Sequence, residues 1–488
     1  MDNVARVSTR LGRWIEPRVA ANANRSGFRL LPTGLDAFVA RGLLIELADR
    51  TLDLQYYICH ADTTGSIIVD RLIAAADRGV RVRLLLDDWG TADKKDEVVA
   101  GLDAHPNIEI RLFNPYVHRS GVRKLAEMLT SFARVNRRMH NKQLIADDQA
   151  VVLGGRNIGD EYFGLGELDF QDVDVLAGGP IARESTASFA AYWNSAFAVP
   201  IADLGTYTIS PAKFAAERQA LRERVERQRH SPYAQALRES ALAKDLRAHA
   251  LHLHSADAKL LSDPPDKLTK PAGARSESYL GAQFTPYADA VRSDLLVVSP
   301  YFVPGKRGVT FFGGKSHDGV TVRILTNSLA ATDVWLVHAG YRKYRRPLLE
   351  QGVKLYELKP EAQGAAGVKG LVGSSRASLH GKTFVLDRTS VFVGSVNIDP
   401  RSLEQNTEVG VLVHSVDLAR EVAELFERWA APDLSYEVRL APSVRRPHLQ
   451  WVGTQDGQAV RFTNEPHAGL GRRLGAGLFS RLPIESLI

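Results

Sequence analysis

Cysteine is almost missing. Cys59 is the only one in 488 residues, so no internal disulfide can form and no cysteine cluster can hold structural zinc. That poverty suits a reducing compartment. Long apolar runs are missing as well. The nearest approach, Ser185 to Ala202, is interrupted by Ser, Thr, Asn194 and Pro200, short of the roughly 18 or more apolar residues a spanning helix needs. The opening residues, MDNVARVSTRLGRW, contain no apolar h-region and do not read as a cleaved signal peptide. At 44% hydrophobic and 24% charged, the composition is neither disordered nor collagen-like.

The length exceeds what one hydrophobic core usually supports, so two or three domains are expected. Lys and Arg (62) outnumber Asp and Glu (56), giving a formal charge of +6 and a pI near 9.2. Such a balance favours anionic partners, either phospholipid surfaces or nucleic acid, without choosing between them.

The chain also repeats itself. RGVRVRL (78–84) matches DGVTVRI (318–324), Asp93 matches Asp333, His140 matches His380 and Asn157 matches Asn397, all at an offset of 240. DVDVLA from Asp172 matches EVGVLV from Glu408, and Trp193 matches Trp429, both at 236. Two tandem copies with one four-residue length difference account for this. Each copy alternates strand-like runs with helical spacing: LDLQYYI, VRVRLLLDD and IEIRLFNP in the first, LLVVSPYFVP, VTVRILTN and VKLYELKP in the second. That rhythm predicts an α/β fold with a parallel or mixed sheet flanked by helices. Residues 1–28 read as an extension, 29–205 as a first domain and 206–275 as a charged helical linker. Residues 276–440 read as a second domain and 441–488 as a tail.

The chemistry lies in His140-x-Lys142-x4-Asp147 and His380-x-Lys382-x4-Asp387, each followed by a small turn ending in Asn: GGRN (154–157) and GSVN (394–397). On a strand, residues two apart share a face, so each imidazole and ammonium point the same way. Two Lys and two Asn side chains, with the turn at Ser395, can hold the non-bridging oxygens of a phosphodiester. One neutral imidazole can attack phosphorus covalently, and the other can serve the leaving and entering oxygens as acid and base. No metal or cofactor is required. Asp172 and Glu408 occupy equivalent places and are the candidates for orienting the two rings. Asp147 and Asp387, at the motif ends, read as braces of local loops.

These motifs resemble the phospholipase D superfamily, whose signature is two HxKx4D motifs each followed by GSxN or GGxN. The wording of MHNKQLIADDQAVVLGGRNIGDEYFG, TPYADAVRSDLLVVSPYFVPG and GSVNIDPRSLEQNTEVG is similar to bacterial cardiolipin synthases, best to their type C, over roughly residues 30–440. The resemblance implies two tandem domains related by a pseudo-twofold, with one active site between them. It also implies a catalytic set of His140, Lys142, Asp147, His380, Lys382 and Asp387, with His140 as nucleophile and His380 as acid/base. Gly155 stands where many relatives have Ser. Phosphatidylglycerol is then the expected substrate, with phosphatidylethanolamine a second candidate donor, and no nucleic acid is expected; a partner protein is left open. The implied location is peripheral, on the cytoplasmic side of a bacterial cytoplasmic membrane.

Rival readings are a phospholipase D that uses water as acceptor, an HKD-type nuclease, and an idle membrane scaffold. Lys two residues from His is a poor neighbour for a cation, and GSVN is not the GxSxG of a serine hydrolase. Arg119, Arg123, Lys124, Arg134, Arg137, Arg138 and Lys142 suggest a basic collar before the first motif. Tyr56, Tyr57, Tyr301 and Phe302 are candidates for lining the groove. Leu470, Leu474, Leu478 and Leu482 recur every four residues beside Arg472, Arg473 and Arg481, the pattern of an interfacial helix.

Overall fold

A computed structural model describes residues 9–19, 24–90, 101–118, 121–166, 168–204, 210–271, 273–361, 376–442 and 447–480. Asp93, Arg119, Arg481, Leu482 and the Lys124 side chain lie outside the described residues. The first half contributes β1 (Ser26–Leu31), β2 (Thr51–Tyr56), β3 (Arg81–Asp87), β4 (Ile108–Phe113), β5 (Gln143–Ala146), β6 (Ala150–Gly154), β7 (Leu168–Gln171), β8 (Asp174–Gly178) and β9 (Ala198–Pro200). The second contributes β10 (His254–Ser262), β11 (Asp294–Val298), β12 (Thr321–Asn327), β13 (Lys354–Leu358), β14 (Arg376–Leu379), β15 (Thr383–Leu386), β16 (Ser390–Gly394), β17 (Val409–His414) and β18 (Ser435–Ala441). A terminal pair, β19 (His448–Gln455) and β20 (Gln458–Phe462), follows.

Eighteen of these strands form one continuous mixed sheet. Its first half runs β9-β4-β3-β2-β5-β6-β8-β1, and its second runs β10-β17-β16-β15-β11-β12-β13-β18-β19-β20. Read outward from the β1–β10 seam, the two halves have the same order, which is the sequence repeat expressed as topology. β2, β3 and β4 pair in parallel, as do β11, β12 and β13; the other pairs within the sheet are antiparallel. The central strands, such as AVVLG in β6, are buried along their length, as expected where helices cover both faces.

Helices pack on these faces: α1 (Gly34–Leu47), α2 (Thr63–Asp77) and α3 (Pro180–Trp193) in the first half, then α4 (Pro211–Gln228), α5 (Pro232–Glu239) and α6 (Ala241–Arg247) between the halves. The second half carries α7 (Leu280–Ala290), α8 (Gly305–His317), α9 (Trp335–Arg342) and α10 (Val416–Ala430), and α11 (Leu470–Phe479) ends the described chain. The repeated glycine of RGV and DGV ends α2 and α8. Gly79 (φ 93°) and Gly319 (φ 89°) take the left-handed conformation that closes a helix there. The repeated tryptophans, Trp193 and Trp429, lie at the ends of α3 and α10 and share the core where the halves meet. Truncating either would cost roughly 3–5 kcal/mol.

Two boundaries differ from the sequence reading. The segment 206–275 is not all linker: β10 is the structural counterpart of β1 and opens the second half. The tail 441–488 is not a free extension either, because β19 and β20 add a hairpin to the sheet edge. Among the described residues no helix is long and apolar enough to cross a membrane.

Candidate active site

Each HxK segment immediately precedes the hairpin that follows it, β5–β6 or β15–β16. Neither His lies inside a strand. Lys142 Nζ donates to the His140 carbonyl at 2.6 Å, and Lys382 donates likewise to the His380 carbonyl. Each ammonium keeps two further N–H donors.

What unites the motifs is a pair of contacts between the halves. β7 runs parallel to β14, with Gln171 opposite Leu379, so the next residues, Asp172 and His380, face each other. His380 Nδ1 lies 2.6 Å from Asp172 Oδ2. The reciprocal contact follows the same logic. Met139 bridges Thr407 in parallel, and His140 Nδ1 lies 2.9 Å from Glu408 Oε2. Each imidazole is therefore oriented by the carboxylate of the other copy. With Nδ1–H donating to a carboxylate, the Nε2 lone pair is left free.

The two pairs are not electrostatically equal. Burial holds His140 well below the usual imidazole range, and Lys142 and Lys382 push it further down. His380 is lowered by burial and Lys382, while Asp172 pulls it back up. Burial tends to raise Asp172, but His380, Lys382 and Arg156 outweigh it and hold this carboxyl below the usual carboxylate range. Burial pushes Glu408 up to about 7, against the pull of Lys142 and the Ser395 hydroxyl. Burial also lowers both lysines, Lys142 strongly. An arriving phosphate anion would favour their charged forms again.

The turns after the hairpins explain why Gly155 and Ser395 differ. A Cβ on Gly155 would lie 2.3 Å from Asp172 Oδ1, so the short carboxylate fills the space a side chain would need. At the matching position the Ser395 hydroxyl donates to Glu408 Oε2 at 2.5 Å and accepts from the Val409 amide at 3.0 Å. Expected among the phosphate contacts, Ser395 instead braces Glu408. Asn157 accepts from the Ile58 amide at 3.2 Å and donates to the Tyr162 hydroxyl at 2.8 Å, while the buried Asn397 Oδ1 has no hydrogen-bond partner.

Asp147 and Asp387 do not join the paired histidines and lysines. Four residues, the strand Gln143–Ala146, separate Lys142 from Asp147, and the five steps span roughly 16 Å at 3.3 Å per residue. Asp147 accepts from the amides of Asp49, Arg50 and Thr51 at 3.0, 2.8 and 2.9 Å. Asp387 holds Arg292, Ser293 and Asp294 in the same way. Both also occupy tight turns at positive φ, 53° and 50°, a conformation that Asp tolerates better than most residues. Loop bracing is what the residues themselves suggested.

Aromatic rings sort into two groups. Tyr57 stands edge-on to His140 at 5.2 Å between centroids, and Tyr162 and Phe170 contact His380 at 5.3 and 4.9 Å. Tyr301 donates to Asp333 at 2.7 Å, whereas Tyr56 and Phe302 are core. Tyr162, Phe170 and Asp263 escaped the sequence reading, since none has a recognisable counterpart in the other copy. Asp263 accepts from the Glu408 amide at 2.9 Å and pairs with buried Lys267 at 2.9 Å. The basic collar is largely dispersed. Arg134 pairs with Glu127, Arg137 caps the carbonyls of Leu268 and Lys270, and Arg138 is buried beside Asp87.

For a cation, His60, Asp62 and Glu161 offer converging ligand atoms, as do His338, Glu357 and Glu465. The second trio already surrounds buried Arg345. Neither includes a motif histidine.

A family model described as "Cardiolipin synthase, PLD-like domain" matches residues 43–193 and 288–430. The chain is 38% identical over 490 residues to cardiolipin synthase C of Escherichia coli (strain K12), covering 98% of this chain and 100% of that protein. It is 25% identical to cardiolipin synthase B of Salmonella typhimurium, covering 79% of this chain and 76% of the relative. Among solved structures, phosphatidylserine synthase of Haemophilus influenzae superposes with a TM-score of 0.60 at 12% identity, covering 96% of this chain and 98% of the other. That likeness is one of fold.

Proposed function

The chain belongs to the family of cardiolipin synthases with phospholipase D-like domains, and from that premise we propose that it is a phosphatidyl transferase whose two motifs form one composite site. The observation that carries the proposal is the exchange of carboxylates: His140 leans on Glu408 and His380 on Asp172, so neither half holds a complete set.

His140 Nε2 attacks the phosphorus of a donor phospholipid and forms a P–N bond as the headgroup P–O bond breaks. His380, protonated at Nε2, gives its proton to the leaving oxygen, and the alcohol departs. A hydroxyl of phosphatidylglycerol then enters, loses its proton to His380, attacks phosphorus and releases His140. The product is cardiolipin. The unequal electrostatics support this division, because the depressed His140 stays neutral as a nucleophile must. His380, backed by the ionised Asp172, is better able to hold a proton. Lys142 and Lys382 supply charge-assisted hydrogen bonds to the non-bridging oxygens. Phosphatidylglycerol and phosphatidylethanolamine both satisfy the donor's role, and release glycerol and ethanolamine respectively.

Attachment to an anionic membrane belongs to the same proposal. Leu470, Leu474 and Leu478 of α11 are 72%, 66% and 61% exposed, while Ala476 and Phe479 pack toward Leu329 and Trp335. Leu329 follows β12, whose terminal Asn327 holds both backbone groups of Leu379 beside His380. The leucine stripe is thus carried at the catalytic end of the sheet, where an interfacial helix is useful.

The test is the purified full chain with phosphatidylglycerol in mixed micelles, alone and with phosphatidylethanolamine. Cardiolipin should form with release of one headgroup alcohol, and His140→Ala should abolish it. Phosphatidic acid as sole product would make the chain a hydrolase; cleavage of DNA with lipids untouched would overturn the proposal.

A further inference from the structure

The two halves share a strand order, yet one of their helical layers differs. In the first half α1 packs against α2 and is covered by α5 and α6; it buries eight residues, Leu35 through Ile45. Its counterpart α7 is three residues shorter, carries Pro286 inside, and buries only Leu280 and Ala288. A cavity of about 460 Å³ lies between α7, α8 and the sheet. Apart from Thr285, Arg307 and Asn397 its lining is apolar.

Its position is as telling as its lining. Its lining includes Val396, Asn397 and Ile398, the turn that completes the second motif, with Gly281 and Pro304. It also includes Ala288, Leu295 and Phe311, farther along α7 and toward the Leu295–Leu386 end of the strand pair. From Leu280 to Ala288 the helix alone spans about 12 Å at 1.5 Å per residue. An elongated apolar groove that begins at a phosphate-handling turn fits a ligand with a phosphate at one end and a hydrocarbon chain behind it.

Resting on the phospholipid reading above, we propose that this groove takes one acyl chain of the phospholipid substrate, with its ester end at Asn397 and its methyl end toward Ala288. Arg307, exposed, is the charged residue among its described lining. In the first half α1, α2 and the inter-copy helices pack together over the matching layer. The site therefore gains a direction from the fold: of two nearly symmetric motifs, the second is the one with a chain-length ruler.

Two variants narrow the groove at opposite ends. A side chain at Gly281 has space to start, since its Cβ would meet only Leu403 Cδ2 at 3.5 Å, so Gly281→Trp closes the catalytic end. Ala288→Phe shortens the far end. The full chain is assayed on dihexanoyl and dipalmitoyl phosphatidylglycerol in mixed micelles. The ratio of long-chain to short-chain turnover should fall at least about tenfold in Gly281→Trp, the effect of about two methylenes denied an apolar site. In Ala288→Phe the preferred chain length should shorten. Unchanged ratios in both variants would overturn the proposal, as would equal loss on both substrates. A phosphatidylglycerol carrying a terminal diazirine on its palmitoyl chain, photolysed with the wild-type chain, should label Phe284 or Phe311. Labelling confined to other segments overturns the groove whether or not the lipid is turned over. Failure to turn over either lipid defeats the functional proposal instead.

Discussion

Replacing Gly155 by Ser gives the first motif the residue found at the matching place in the second, so resemblance alone predicts tolerance. The packing predicts damage. The new Cβ would sit 2.3 Å from Asp172 Oδ1 and 2.7 Å from Oδ2, closer than any real contact, and the obstacle is the working end of a short side chain held by His380. Relief requires moving Asp172 off the imidazole and losing the 2.6 Å contact. A hydrogen bond to a charged group is worth about 1.5–3 kcal/mol, and 1.36 kcal/mol is about tenfold in rate. Gly155→Ser should therefore lower kcat roughly ten- to a hundredfold. Overpacking should remove about 1–3 kcal/mol of stability. The assay is cardiolipin formation in mixed micelles, with a thermal melt to show that the protein is folded. The second copy suggests the rescue: Gly155→Ser with Asp172→Glu recreates the Ser395–Glu408 arrangement and should recover part of the loss. A folded Gly155→Ser enzyme with wild-type kcat would refute the reasoning.

Other outcomes follow from the same geometry. Glu408 must be ionised to accept the His140 Nδ1–H, and with its carboxyl raised to about 7 activity should decline as pH falls through about 7. Glu408→Gln should abolish that limb of the kcat/KM profile. Folding stability should move the opposite way: a raised folded-state pKa contributes fully below the unfolded value and is lost as pH rises toward about 7. Urea titrations at several pH values should show this, with a weaker trend in Glu408→Gln. Asp147→Ala should cost about 1–3 kcal/mol, since three partly buried or exposed amides lose their acceptor, yet leave kcat within about threefold below the melting temperature, whereas a catalytic role would abolish turnover. Leu470→Ser, Leu474→Ser and Leu478→Ser combined should reduce sedimentation with phosphatidylglycerol vesicles; unchanged sedimentation would remove α11 from the membrane account.

Much of the site was legible because the chain says everything twice. The offset of 240 exposed His140 with His380, and the offset of 236 exposed Asp172 with Glu408. The exchange of carboxylates was not legible. It depends on β7 pairing with β14 across the halves, a register set by tertiary packing rather than by any local pattern. β10 was hidden by its exposed face, where Asp257 and Lys259 alternate with buried Ala256 and partly buried Ala258 and Leu260 and imitate the charged helices before it. The β19–β20 hairpin did carry a readable signal: Asp456-Gly457, at φ 50° and 78°, is the Asp-Gly pair that such turns favour. Ser395 shows the limit of motif logic, for its position promised a phosphate contact and its hydroxyl went to Glu408, the carboxylate that meets His140.

The central claim is that one composite site works through a covalent bond to His140. The direct measurement is rapid mixing of the full chain with phosphatidylglycerol labelled in its phosphate, quenched in alkaline denaturant, followed by peptide mapping. The account predicts transient label on the peptide containing His140, absent in His140→Asn and longer-lived in His380→Asn. Label on the His380 peptide would reverse the roles, and turnover with no label on either would contradict the covalent mechanism.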